Sequence, residues 1–167
     1  TLVNENEKLG GVCLNNGCIP SKSLLHASKI INNSKEASKI GINFKQPTLN
    51  IEKMHQWKDG IINNLNDGIY KLAQARNINM ITGKAKFQSA NQIEIIDNQN
   101  KKIELTFDNC IIATGSQPQK ISHLNKKHPS ILDSTSALNF NKLPKKILVI
   151  GGGYIGLELG SVFNSLG

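Results

Sequence analysis

Gly11-Val12-Cys13-Leu14-Asn15-Asn16-Gly17-Cys18-Ile19-Pro20-Ser21-Lys22 carries two of the three cysteines of the chain, with four residues between them. A disulfide needs Cα atoms about 4.4–6.8 Å apart, and Asn15-Asn16-Gly17 tolerates the tight turn that closes such a ring. Closing so short a loop constrains the unfolded chain by only about 2 kcal/mol. The ring is a modest staple, and the residues after it favour redox use. Pro20 suits the first turn of a helix, Ser21 can satisfy a free backbone N–H there, and Ser23 to Ile31 continues at helical spacing. Cys18 is therefore expected at a helix N-terminus with Lys22 one turn on. That environment lowers a thiol's pKa and favours the thiolate that disulfide exchange needs.

Working outward, Thr1-Leu2-Val3 reads as the tail of a strand. Gly41 to Thr48 is irregular, and Asn50 is a candidate helix cap. Met54, Trp57, Ile61, Leu65, Ile69 and Leu72 recur at spacings of three and four, so the pattern predicts an amphipathic helix from Ile51 to about Arg76 with Trp57 in the core. Short strands are expected at 77–83 and 85–87. Gln92 to Ile96 and Lys102 to Phe107 alternate around Asp97-Asn98-Gln99-Asn100, a hairpin signal. Cys110-Ile111-Ile112-Ala113 reads as a buried strand entering a turn, which makes Cys110 an inert core residue. Gln117 to Asn141 is mostly connection, with a brief helical stretch at Ser134 to Leu138.

A second motif follows Pro144. Lys145 to Ile150 reads as a strand, and Gly151, Gly153 and Gly156 then give GxGxxG spacing at the opening of a helix, the setting a dinucleotide fingerprint requires. Such glycines allow a tight turn, close approach of a pyrophosphate to the backbone, and close packing of helix on strand. The helix N-terminus offers free N–H groups to the phosphates.

The run Gly10 to Lys22 resembles the redox-active segment of the pyridine nucleotide–disulfide oxidoreductases, class I, and within them the members that oxidise dihydrolipoamide. Asn16 departs from the pattern, since the family usually carries valine there; a polar residue in the ring could alter its packing or redox poise without removing either sulfur. The resemblance extends along essentially the whole chain. It implies an α/β fold of the two-dinucleotide-binding-domain flavoprotein type, truncated at both ends. Residues 1–116 would be a Rossmann-like FAD-binding domain lacking its first strand and helix, and residues 117–167 the beginning of an inserted NAD-binding domain.

The same resemblance implies FAD and NAD as cofactors and assigns roles to residues. Cys13 matches the interchange thiol that forms the mixed disulfide with substrate, and Cys18 the thiol beside the flavin. Lys22 matches a lysine near the flavin N5, and Glu158 the carboxylate that pairs with it. A charged pair taken from water needs mutual neutralisation, so these two are expected in contact across the domain boundary. Ala85 matches a backbone contact to the adenosine part of FAD, and Ala113-Thr114-Gly115-Ser116 the segment touching FAD at the end of its domain. Gly151, Gly152, Gly153, Tyr154, Ile155, Gly156, Leu157 and Glu158 cover the second dinucleotide motif, with Tyr154 matching an aromatic that in some relatives shields the flavin until nicotinamide enters.

The implied reaction is oxidation of protein-bound dihydrolipoamide with reduction of NAD. The implied partners are the lipoyl domain of a 2-oxoacid dehydrogenase complex acyltransferase and, in the full-length protein, a second copy in a homodimer. The first glycine fingerprint is expected before Thr1. The acid–base histidine–glutamate pair and the dimer interface are expected past Gly167, so the piece alone is expected to be inactive. The residue that selects NAD or NADP should lie about twenty residues past the fingerprint, also beyond Gly167; NAD rests on the resemblance. The alternative within the family is an NADPH-dependent disulfide or mercuric reductase, against which Ile19-Pro20-Ser21-Lys22 favours the lipoamide reading.

Composition is compatible with these expectations. The chain has 167 residues, 38% of them hydrophobic, enough for a globular core. No apolar run approaches a membrane span, and the first residues do not form a signal peptide. The net charge of +8 could suggest a nucleic-acid partner, but the lysines are dispersed, with pairs only at Lys101-Lys102, Lys126-Lys127 and Lys145-Lys146, and no recognition motif accompanies them. Three cysteines fit a reducing compartment, here the cytoplasm, better than a secreted scaffold. Two thiols without a nearby histidine pair do not make a closed zinc site, so no metal is expected.

Overall fold

Alternating apolar and polar residues on either side of Asp97 form the expected hairpin. β3 (Gln92–Asp97) and β4 (Lys102–Thr106) run antiparallel, with Ile96 opposite Lys102 and Gln92 opposite Thr106. The turn is held by the Asp97 carboxylate, whose Oδ1 accepts from the backbone N–H of Gln99 and of Lys101, both at 2.8 Å. Asn100 takes a φ of 60°, a left-handed conformation that asparagine tolerates. The computed structural model to which these elements belong describes residues 1–119, 121, 124 and 128–167. The Lys126-Lys127 pair lies outside the described residues.

The hairpin belongs to one of two compact units, made of residues 1–11 and 64–116. Its sheet has the order β1-β2-β3-β4, with β1 (Leu2–Asn4) parallel to β2 (Met80–Ser89) and β2 antiparallel to β3. The expected strand tail at Thr1-Leu2-Val3 is thus β1. The two short strands expected at 77–83 and 85–87 are one ten-residue strand. The residue between them, Lys84, pairs in register with Ile96 like its neighbours, so the ladder runs on through it and shifts register only between Phe87 and Ser89. Ile95 is fully buried at the centre of this sheet. Gly83 is required there, because a Cβ would lie 2.6 Å from the Ile96 carbonyl oxygen and 2.7 Å from Ile95 Cγ2.

The second unit comprises residues 12–63 and 117–167. Its helices are α1 (Gly11–Asn16), α2 (Cys18–Glu36), the first half of α3 (Ile51–Ala75) and α4 (Tyr154–Leu166). The core gathers Leu24 and Ile31 from α2, Leu159, Val162, Phe163 and Leu166 from α4, and Ala137, Leu138 and Phe140 from a 3₁₀ turn at Ser136–Leu138 and its continuation. The Phe140 ring lies 5.0 Å from both Phe163 and His55. Asn50 caps α3 as expected, its Oδ1 accepting from Lys53 N–H at 2.9 Å.

The buried stripe of α3 differs from the expected one. Trp57, Leu65 and Leu72 are 44%, 43% and 50% exposed, whereas Lys58, Ile62, Asn66 and Ala73 are buried. The physical reason is visible at Lys58. Its Nζ donates to the Leu138 carbonyl oxygen at 2.9 Å and to Asn139 Oδ1 at 2.6 Å, with Asp59 Oδ1 at 3.4 Å. A buried ammonium is tolerated only with such partners, and hydropathy counts it as polar. Trp57 is therefore corrected from a core position to a half-exposed one, 6.1 Å from His26. Replacing the hydrogen-bonding head through Lys58→Met should leave two acceptors unpaired and lower stability by about 2 kcal/mol, read as a shifted urea midpoint of the full-length protein.

Two predicted strands are not formed. Residues 110–113 and 145–150 have no strand pairing, and Ile111, Ile112, Leu148 and Ile150 are 92%, 68%, 84% and 65% exposed. Cys110 is exposed as well, a correction to its reading as core. A strand is a pairing and not a property of its own residues, and among the described residues no strand lies beside either run.

Candidate active site

The cysteine motif folds as two helices broken at one residue. Cys13 lies within α1, Gly17 interrupts the path with φ −143° and ψ −111°, and Cys18 is the first residue of α2. The expected tight turn is thus a helix break. A Cβ at Gly17 would sit 3.0 Å from the Val12 carbonyl oxygen, so glycine lets the two helical turns close on each other. No side chain caps α2, which leaves the positive end of its dipole facing Cys18.

Both cysteines are free, exposed thiols that lie near each other. Hydrogen bonding with the Cys18 side chain is the main cause that pushes the Cys13 thiol above its ordinary value, helped by burial and by charge on Cys18; the backbone N–H of Cys18 and the Lys22 ammonium pull the other way.

Lys22 and Glu158 make the expected contact, but within one compact unit and with side chains 57% and 26% exposed, where a pair removed from water was expected. Lys22 Nζ bonds Glu158 Oε1, and Ser21 Oγ lies 3.2 Å from Glu158 Oε2. The hydrogen bond to Glu158 raises the Lys22 pKa, and the bond to Lys22 lowers that of Glu158, with Ser21 adding in the same direction. A depressed carboxylate loses its contribution as pH falls through its folded value, and a raised ammonium loses its own as pH rises through its folded value. The pair is intact throughout the range between the ordinary carboxylate and ammonium values. Cys18 and Tyr154 also act on Lys22 by charge.

The glycine motif opens α4 as expected, with Gly153 at the N-cap and no side chain capping it. Gly151 has φ +104°, a conformation open to glycine. A Cβ at Gly152 or Gly153 would meet nothing within 4 Å, whereas one at Gly156 would lie 2.8 Å from the Gly151 carbonyl oxygen. Residues 151–155 and Leu157 are exposed. An uncapped helix N-terminus behind an open glycine backbone fits a dinucleotide pyrophosphate.

Cys13, Cys18, Lys22, Glu158, Tyr154 and the glycine turn all lie in the second unit. Ala85, opposite Ile95 on β2, and the exposed, irregular Ala113 to Ser116 belong to the first unit. Ser21 was expected to satisfy a backbone N–H. Instead its own N–H bonds Gly17 O at 3.0 Å, and its hydroxyl points to Cys18 O and Glu158. The one sequence signal for this was its place beside Lys22.

Comparison with known proteins gives a consistent result. The chain matches the family described as pyridine nucleotide-disulphide oxidoreductase over residues 1–167. It is 44% identical to dihydrolipoyl dehydrogenase of Vibrio cholerae over 99% of its own length and 35% of that protein's. It is 42% identical to dihydrolipoyl dehydrogenase 3 of Haloarcula marismortui over 100% of this chain and 35% of the relative. Against the Bacillus subtilis dihydrolipoyl dehydrogenase the identity is 40%, covering 98% and 34%. The chain therefore spans about a third of the length of these relatives. With one thiol at the head of a helix and the other in the short helix before it, a glycine turn at the head of another helix and a match along its whole length, the chain belongs to the pyridine nucleotide-disulphide oxidoreductase family.

Proposed function

We propose that this chain is the disulfide-bearing part of a dihydrolipoyl dehydrogenase that oxidises protein-bound dihydrolipoamide and reduces NAD. The observation that carries the reading is the placement of Cys18 at the start of α2, with Cys13 near it in α1 and the Lys22–Glu158 pair one turn on. In the oxidised pair, a thiolate of dihydrolipoamide attacks the Cys13 sulfur and breaks the Cys13–Cys18 bond. Cys18 leaves as a thiolate at the positive end of α2, with Lys22 one turn away. The second substrate thiolate then attacks the substrate sulfur of the mixed disulfide, closes the lipoamide ring and releases Cys13. The substrate loses two electrons and two protons; the cysteine pair takes the electrons, Cys13 keeps one proton, and solvent takes the other.

Residues 1–116 are read as FAD-binding, with Ala85, Ala113 to Ser116 and Lys22 as its contacts, and 117–167 as the start of an NAD-binding part using Gly151 to Glu158. FAD, when bound, relays the electron pair to NAD. Lys22 supplies a fixed positive charge beside Cys18, and Glu158 keeps that charge in place. The partners are a lipoyl domain of a 2-oxoacid dehydrogenase complex and a second copy of the full-length chain. Anaerobic titration of the full-length protein with dihydrolipoamide should raise a long-wavelength thiolate–flavin absorbance. No such band with dihydrolipoamide, but one with NADPH, would overturn the assignment in favour of a reductase working in the other direction.

A further inference from the structure

We propose that Ser21 is a positioning residue for the Lys22–Glu158 pair, holding one oxygen of the Glu158 carboxylate so that the other faces Lys22. The inference rests on the active-site reading above. Ser21 Oγ is 3.2 Å from Glu158 Oε2, while Lys22 Nζ bonds Oε1, so each carboxylate oxygen has its own donor. Adjacent residues of a helix point about 100° apart and do not face each other. A carboxylate reached by both Ser21 and Lys22 is therefore fixed in rotation as well as in position.

Relative exposure decides which donor does the fixing. The Lys22 side chain is 57% exposed, and a long, exposed side chain holds an ion pair weakly. Ser21 is 8% exposed on a short side chain. Its hydroxyl has one proton and two acceptors within reach, Cys18 O at 3.1 Å and Glu158 Oε2. An ionised acceptor forms the stronger bond, so the proton goes to Glu158 while that residue is charged and to the Cys18 carbonyl when it is not. Ser21 thereby joins the backbone at Cys18 to the carboxylate on α4. The other groups acting on the pair are Cys18 and Tyr154, through Lys22.

The test uses the full-length, FAD-loaded protein carrying Ser21→Ala, Ser21→Thr, Glu158→Gln, or Ser21→Ala with Glu158→Gln. Two readouts are followed against pH: the acid limb of kcat and the visible absorbance of the oxidised flavin. Loss of the Ser21 donor should make Glu158 about threefold easier to protonate, moving both acid midpoints toward neutral pH. Ser21→Thr should restore them, and Ser21→Ala should add nothing once Glu158 is Gln. Unmoved midpoints in Ser21→Ala, or an equal shift in the Glu158→Gln background, would overturn the proposal. If the alanine variant loses FAD, Ser21→Thr against the isosteric Ser21→Val makes the same comparison. Failure of the wild type to accept electrons from dihydrolipoamide would sink the assigned reaction alone, because the flavin absorbance still reports on Ser21.

Discussion

Cys18→Ser in the full-length protein should lower dihydrolipoamide-dependent turnover by at least about a thousandfold, because no partial version of a disulfide exists and the machinery acts as a unit. Cys13→Ser should be as damaging to turnover but should look different in absorbance. On the proposed reading Cys18 is the thiol beside the flavin and remains alone at the start of α2, so the long-wavelength flavin band should be present before any reductant is added. Cys18→Ser should show none. Thiol counting after mild oxidation gives a second check: the wild type should lose two titratable thiols, and each single variant neither of them. Turnover within tenfold of wild type in Cys18→Ser would mean that the pair is not the substrate's point of entry.

Gly156→Val should raise the KM for NAD by about a hundredfold while slowing flavin reduction by dihydrolipoamide far less. A Cβ there would stand 2.8 Å from the Gly151 carbonyl oxygen and 3.0 Å from Val149 Cγ1. The first of these is backbone, and the turn that carries it holds Gly151 at φ +104°. Relieving the contact must therefore shift the start of α4, where the phosphates are read to bind, and the branched side chain adds to the overpacking, worth about 1–3 kcal/mol. The split between the two half-reactions separates this from general unfolding, and an unchanged KM for NAD would show that the glycine turn does not serve the dinucleotide.

Some of the fold was legible because its causes are local. The Asp97–Asn100 turn needs only a side chain that bonds its own backbone and a residue that accepts a left-handed φ. The cap at Asn50 and the length of α3 are set in the same way, within a few residues. The Lys22–Glu158 contact, 136 residues apart in sequence, was legible for another reason, since it came from family resemblance and no local pattern contains it.

The sequence by itself determined where α2, α3 and α4 begin, which residues turn, that Cys18 stands at the head of α2 and that a glycine turn opens α4, because each depends on backbone preferences within one or two turns of chain. Tertiary structure decided what those elements face. It buried Lys58 in place of Trp57, since two acceptors on the 3₁₀ segment could pair an ammonium. It left the expected strands at 110–113 and 145–150 unpaired, because a strand exists only where another lies beside it. It also turned the Ser21 hydroxyl from a helix cap into a donor to Glu158, a choice set by the acceptor that packing of α4 against α2 brings within reach.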